Sequence, residues 1–192
     1  MSLSAYLAES VAPPADRWDR EERIPRAVLA DLAGFGLLGA GVPDERARQG
    51  LTVIKWGEAL EAVGEASMSL LSVLTVHAMC TYAVARWLEP GAQQEWLADL
   101  IAGGKLGGFA LTEPGVGSDA KTVTTQLADD GDNWRLTGTK RWVTASEIVD
   151  VFVVMGQAPK GLTAVLVPRD TPGLTVTPIK GVLGFRAAEQ CE

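Results

Sequence analysis

The 192-residue sequence predicts an α+β protein, a run of helices followed by a run of antiparallel strands. Three observations predict it. Up to Gly104 the apolar residues recur three and four apart, the period of a helix with one buried face. After Gly107 they recur two apart, the period of a half-buried strand. Turn formers then punctuate the chain at Pro159, Gly161, Pro168, Pro172 and Gly173. The change of period divides the chain into residues 1–106 and 107–192.

The elements follow in order. Pro25 suits the first position of a helix, and Val28, Leu32 and Phe35 follow at i, i+4 and i+7. A charged loop, "GVPDERARQG", precedes a second stripe of Val53, Trp56, Leu60 and Val63. Met68 to Ala85 is then 18 residues without a formal charge, the lower limit for a membrane span. Ser69, Ser72, Thr75, His77 and Thr81 dilute its apolarity, so it is expected to be a helix buried in protein. Trp96, Leu97, Leu100 and Ile101 form the last stripe, stopped by Gly103-Gly104. Beyond it, Val123, Thr125 and Leu127 alternate, "ADDGDN" turns the chain toward Trp134 and Leu136, and "VDVFVVMG", "LTAVLVP" and "LTVTPIK" are further strands.

Composition excludes several classes of function. A net charge of −7 opposes unspecific nucleic-acid binding. Two cysteines and one histidine give neither a disulfide framework nor a metal site. "MSLSAYLAES" lacks the basic and long apolar regions of a secretion signal, so a cytoplasmic location is expected.

"GVGSDA" (115–120) fits the spacing of a dinucleotide-binding glycine loop, but that loop must open a helix. Here the β-branched "KTVTTQL" follows, and the next acids, Asp129 and Asp130, come too early. Gly115 and Gly117 allow positive φ and close backbone approach, so their N–H groups can form an anion cradle with the Ser118 hydroxyl. A plain turn after a strand is the other reading. Thr112 and Glu113 end the preceding strand, and thirty residues on lies "TGTKRWVTAS". Trp142 and Thr144, two apart on a strand, would share a face and address one flat aromatic ligand; Trp142 also reads as a core aromatic.

Taken together, these stretches resemble the acyl-CoA dehydrogenase family. "FALTEPGVGSDA" looks like its flavin-binding signature and "LTGTKRWVTAS" like its second flavin segment. "GLLGAGVP", "GAQQEWLADLIAGGKLGGFALTEP" and "TPGLTVTPIKGVLGFRAAEQCE" stand in the family's order, so the resemblance covers nearly the whole chain. It implies an N-terminal helical domain, a middle antiparallel β-barrel domain incomplete at its C-terminal end, and FAD. The implied cofactor-binding residues are Phe109, Leu111, Thr112, Gly117, Ser118, Trp142, Val143 and Thr144. Thr112 would bond the pyrimidine side, Trp142 would cover one flavin face, and Thr144 would sit near N5. Ser118 would lie near the pyrophosphate and the thioester end of the substrate, and the uncharged helix would border the acyl pocket. His77 on that helix is expected to be a packed core residue.

The implied reaction is α,β-dehydrogenation of an acyl thioester, with electrons passed to an electron-acceptor flavoprotein or to oxygen. An oxidase or hydroxylase of the same fold, or a non-catalytic pairing subunit, fits the same motifs. The family takes its carboxylate base from a C-terminal helical bundle, so no catalytic residue is named; Glu113 and Glu189 match no catalytic position. The chain is expected to be a fragment or split half, to form a homo- or hetero-oligomer with a C-terminal helical half, to bind FAD weakly when alone, and to leave a sheet edge open at "AAEQCE". "PDERARQG" departs from the family pattern. The short linker before "LTVTPIK" is like that of relatives acting on carrier-protein-bound acyl groups, for which Arg46, Arg48 and Lys55 would form a basic patch.

Overall fold

The structure, a computed structural model, describes residues 1–39, 42, 51–131 and 133–192. Helix α1 (Leu3–Tyr6) runs through a π-helical turn (Leu7–Val11) into α2 (Ala12–Glu21). The π turn stands where Pro13 and Pro14 remove two N–H donors from the helical ladder. Helix α3 (Arg26–Ala33) begins after Pro25, one position later than the sequence implies, and buries Val28, Leu29 and Leu32. Thr52 caps α4 (Val53–Ala66) by accepting from the Lys55 N–H, and Ser67 caps α5 (Met68–Trp87) by accepting from the Leu70 N–H. Helix α6 (Pro90–Ala102) ends at Gly103, whose φ of +76° is the left-handed cap glycine supplies. The charged loop 43–50, with Arg46 and Arg48, lies outside the described residues; Lys55 is on α4, paired with Glu58 at 3.0 Å.

Strands β1 (Gly107–Ala110), β2 (Gln126–Asp130), β3 (Asn133–Thr137), β4 (Val151–Ala158) and β5 (Gly161–Pro168) make one sheet. The α+β order is as the sequence predicts, but the sheet is mixed and open. β1 runs parallel to β4 from Gly107↔Val151 to Ala110↔Val154, and β2 meets β4 in parallel at Gln126↔Gln157. Only the β2–β3 and β4–β5 pairs are antiparallel. The reason is topological: β1 is joined to β4 by a long excursion through β2 and β3, so nothing forces the chain to reverse. Val123, Thr125 and Leu127 are buried in alternation as expected, although the ladder starts only at Gln126.

"LTVTPIK" forms no ladder strand. Thr177 exchanges two backbone bonds with Glu192, and the Ile179 N–H donates to the Gln190 carbonyl. The same tail pairs on its other side, where Val143 and Cys191 exchange two bonds of 3.0 Å. The C-terminal residues are therefore laminated between two segments, and among the described residues β1, β3 and β5 each pair on one side only.

Helix α5 is the centre of the molecule. Among the described residues it alone is long and apolar enough to cross a membrane, with a mean hydropathy of 1.6. Its inner face is packed: Cys80 and Val84 join Leu100 of α6 and Val151 and Val153 of β4. Gly107 permits this approach, since a Cβ there would stand 2.4 Å from Cys80 Sγ. His77 is the core residue the sequence suggests. The Gly107 N–H donates to its Nδ1 at 3.1 Å, and its Nε2 bonds the Leu100 carbonyl at 3.1 Å. Those partners require a neutral ring protonated at Nε2, and burial lowers the His77 pKa to about 4. Arg26 of α3 adds a clamp, donating to the carbonyls of Gly104 and Ile148 and pairing with Asp150.

Candidate functional site

The strand-end segment and the "TGTKRWVTAS" segment, some thirty residues apart in sequence, lie side by side. The Arg141 N–H donates to the Thr112 carbonyl at 2.8 Å. Beneath that bond, Lys140 Nζ donates to the Leu111 carbonyl at 3.0 Å and to Glu113 Oε1 at 2.7 Å. Glu113 is buried and accepts four further bonds, from the backbone N–H and hydroxyl of both Thr124 and Thr125. Burial alone would raise its pKa, yet the bonds from Lys140, Thr124 and Thr125 outweigh it and hold the carboxyl well below the usual range. Glu113 is thus a fixed carboxylate that ties three stretches together. Every one of its partners is structural, which removes it as a base.

The sequence pattern did not reveal this lock. Its signal was present, as an acid at the end of an apolar strand with a lysine three residues beyond Thr137, but pairing across 27 residues has no period to read.

Of the predicted residues, those of the strand end and glycine loop are accessible, whereas Val143 and Thr144 are buried. Phe109 lies on β1 and is half-buried, as are Leu111 and Thr112 just beyond it; Gly115, Gly117 and Ser118 are exposed. Neither Gly115 nor Gly117 has the positive φ expected of it. Both have open space where a Cβ would be, so their use is clearance above the backbone rather than a strained turn. Among the described residues the N–H groups of Gly115, Gly117 and Ser118 donate to no backbone carbonyl, and they remain available to an anion. A three-residue 3₁₀ turn, Ala120–Thr122, follows this loop in place of a helix.

Trp142 and Thr144 are not on a strand, so the shared-face argument fails in its original form. Trp142 has φ +61° and Ala145 φ +57°, left-handed values that cost a bulky residue energy. Between them Val143 is buried and held by Cys191, and the Ala145 N–H donates to the Ala188 carbonyl at 2.7 Å. The left-handed turn brings the Trp142 indole out of the interior. It is 49% exposed, which removes the core-aromatic reading. The Arg141 guanidinium stands 5.3 Å from its centroid. Thr144 is buried, and its Oγ1 accepts from Gln190 Nε2 at 3.2 Å.

An exposed indole, a clear backbone loop with free N–H groups and a buried hydroxyl are the donor set and surface that a flat ring joined to a phosphate requires. The residues fit a flavin. Glu189 lines a cleft at the tail with Glu147, Lys180, Arg186 and Gln190, the last of which also reaches Thr144.

Comparison with known proteins gives the family. Residues 1–104 match the acyl-CoA dehydrogenase N-terminal domain, and residues 108–192 match the acyl-CoA dehydrogenase middle domain. The chain belongs to the acyl-CoA dehydrogenase family. Within that family it is 34% identical over 189 residues to the mitochondrial short-chain specific acyl-CoA dehydrogenase of Mus musculus, covering 95% of this chain and 46% of the relative. A glutaryl-CoA dehydrogenase from Mycobacterium smegmatis, solved in complex with FADH2, superposes with a TM-score of 0.92 at 28% identity over 98% of this chain and 49% of that one. FkbI, described as acting in biosynthesis of the methoxymalonyl extender unit of a polyketide, gives 0.90 at 34% identity over 99% and 54%. The chain therefore spans about half the length of each of these proteins.

Proposed function

We propose that this chain is the N-terminal and middle portion of an FAD-dependent acyl-thioester dehydrogenase. The observation that carries the reading is the junction of the two segments: Arg141 to Thr112 and Lys140 to Glu113 hold the glycine loop beside an indole forced outward by a left-handed backbone. FAD, when bound, would supply the acceptor for the two electrons and the hydrogen removed from the β-carbon.

The chain's own residues do the rest. Phe109, Leu111 and Thr112 line the strand-end side of the ring, Gly117 and Ser118 offer N–H and hydroxyl donors to the pyrophosphate, and Ser118 also reaches the thioester end. Trp142 shields one face from water, Val143 fixes the segment's depth, and the Thr144 hydroxyl donates to the ring edge. A carboxylate base must come from elsewhere, because Glu113 is locked among structural partners.

A helical partner supplying that base accords with the outer surface of α4 and α5. Val53, Ile54, Met68, Met79, Tyr82 and Trp87 are all exposed there, more apolar surface than a solvated face needs. An electron-accepting flavoprotein or oxygen completes the cycle, and a cytoplasmic location is part of the same proposal.

The test is a visible spectrum of the chain with FAD and a C-terminal helical half taken from a relative, followed by anaerobic addition of a short acyl-CoA. Retained flavin that bleaches on addition is the expected result. Absence of retained flavin with both halves present would overturn the reading.

A further inference from the structure

We infer that Gln190 is a positioning residue that sets the direction of the Thr144 hydroxyl, an inference that rests on the flavin reading of Thr144. A threonine hydroxyl has one proton to donate and two lone pairs to accept with. In this structure one lone pair is engaged by Gln190 Nε2 at 3.2 Å, while the proton meets no acceptor among the described residues. Thr144 is buried, and a buried donor without an acceptor is costly. The geometry therefore marks a hydroxyl oriented for something outside the protein. With Nε2 turned toward it, the Gln190 amide donates and opposes the rotamer in which Thr144 would donate inward, the rotamer that an accepting oxygen in the same place would favour.

The Gln190 side chain is well placed for this task because its backbone is fixed on both flanks. Its own carbonyl accepts from the Ile179 N–H at 2.8 Å, and its neighbour Cys191 exchanges two bonds with Val143, next to Thr144. The tail in turn is anchored to α2, where Lys180 pairs with Glu22 at 2.6 Å and the Arg186 N–H donates to Asp19 at 3.2 Å. The C-terminal lamination thus sets a hydrogen-bond polarity in the cofactor site.

Two variants of Gln190 separate orientation from simple support. Gln190→Glu keeps the shape but replaces the donor with an acceptor, so Thr144 turns its proton inward. Gln190→Met removes the bond altogether. FAD affinity of the full chain is measured by titration, and thermal stability is measured without FAD. Gln190→Glu also adds a carboxylate to the cleft that Glu147 and Glu189 line, so it is expected to lower stability as Gln190→Met does, yet to weaken FAD more, about five- to tenfold, the worth of one hydrogen bond. Gln190→Met should lower stability and weaken FAD by about two- to threefold. In a Thr144→Val background, which has no hydroxyl to orient, Gln190→Glu should cause no further loss of affinity.

A loss that persists in that background would assign the effect to the added charge and overturn the inference. So would FAD affinity that follows stability, lost equally with Met and Glu. If Thr144→Val weakens FAD while neither Gln190 variant does, only this inference fails. If Thr144→Val leaves affinity unchanged, the flavin placement of Thr144 fails with it.

Discussion

Glu113 and Lys140, 27 residues apart in sequence, form an ion pair of 2.7 Å in which both side chains are largely withdrawn from solvent. It is the bolt between the two segments of the candidate site. Breaking a buried pair from one side leaves an uncompensated charge. Glu113→Gln should therefore destabilise the chain by roughly 3 kcal/mol. Because the folded carboxyl titrates below its unfolded value, its contribution is present above the unfolded pKa and is lost as pH falls through the folded one. Chemical denaturation at pH 7 and in acid measures both. An unaltered midpoint at neutral pH would show the pair to be ornamental.

Gly117 makes a contrasting case. It is exposed, lacks positive φ, and has open space at the Cβ position. Gly117→Val should leave stability within about 0.5 kcal/mol, the usual range for a surface change, and weaken FAD by an order of magnitude or so through lost clearance over the backbone. Calorimetry and an FAD titration on the same sample test this; a fall in melting temperature with intact FAD affinity would make the loop a structural turn.

Gly107 is the reverse of Gly117. A Cβ here would lie 2.4 Å from Cys80 Sγ and 2.6 Å from its Cβ. Gly107→Ala should cost about 1–3 kcal/mol by overpacking α5 against β1, and Cys80→Gly in the same chain should recover part of it. Additive losses in the double variant would place the strain elsewhere.

Two buried groups tilt stability in opposite directions with pH. His77 has a folded pKa lowered to about 4 by burial, so its contribution is full above the unfolded value near 6.5 and is lost as pH falls toward 4. That loss amounts to roughly 3 kcal/mol. Glu189 is raised to about 7, chiefly by burial and then by Glu147, and its Oε2 has no partner. Its contribution is full below the unfolded carboxylate value and is lost as pH rises through 7. Over the interval between, the two partly cancel in the parent chain. Glu189→Gln should raise stability above pH 7 by on the order of 2 kcal/mol and expose the His77 limb as a clear decline below pH 6.5. Urea midpoints across pH 4 to 8 measure both; a flat profile in the variant would contradict the histidine assignment.

How much of this was legible in the sequence follows from which interactions are local. The helices from α3 onward, the alternation at Val123, Thr125 and Leu127, and the Gly103 cap are written in short-range periods and turn chemistry. The parallel β1–β4 pairing is not, because strand direction depends on partners more than 40 residues apart. At the candidate site, the motifs named the candidate residues but not the manner in which their segments meet. Trp142 and Thr144 are arranged by left-handed backbone at 142 and 145 rather than by strand alternation, and no non-glycine residue announces such a φ. The roles of Lys140 and Gln190 depend on contacts made only after folding, across 27 and 46 residues.

The close seating of α5 on β1 and β4 bears on how the chain can be dissected. Cys80, Val84 and Leu100 complete one apolar cluster only with Val151 and Val153, and His77 finds its acceptor and its donor on opposite sides of Leu106. A cut between Leu106 and Gly107 would follow the change of sequence period yet pass through a shared interior. Neither piece would be a self-sufficient module: the first would emerge with a greasy helix unpaired, the second with a sheet lacking its lid, and only their reassociation would restore the native packing.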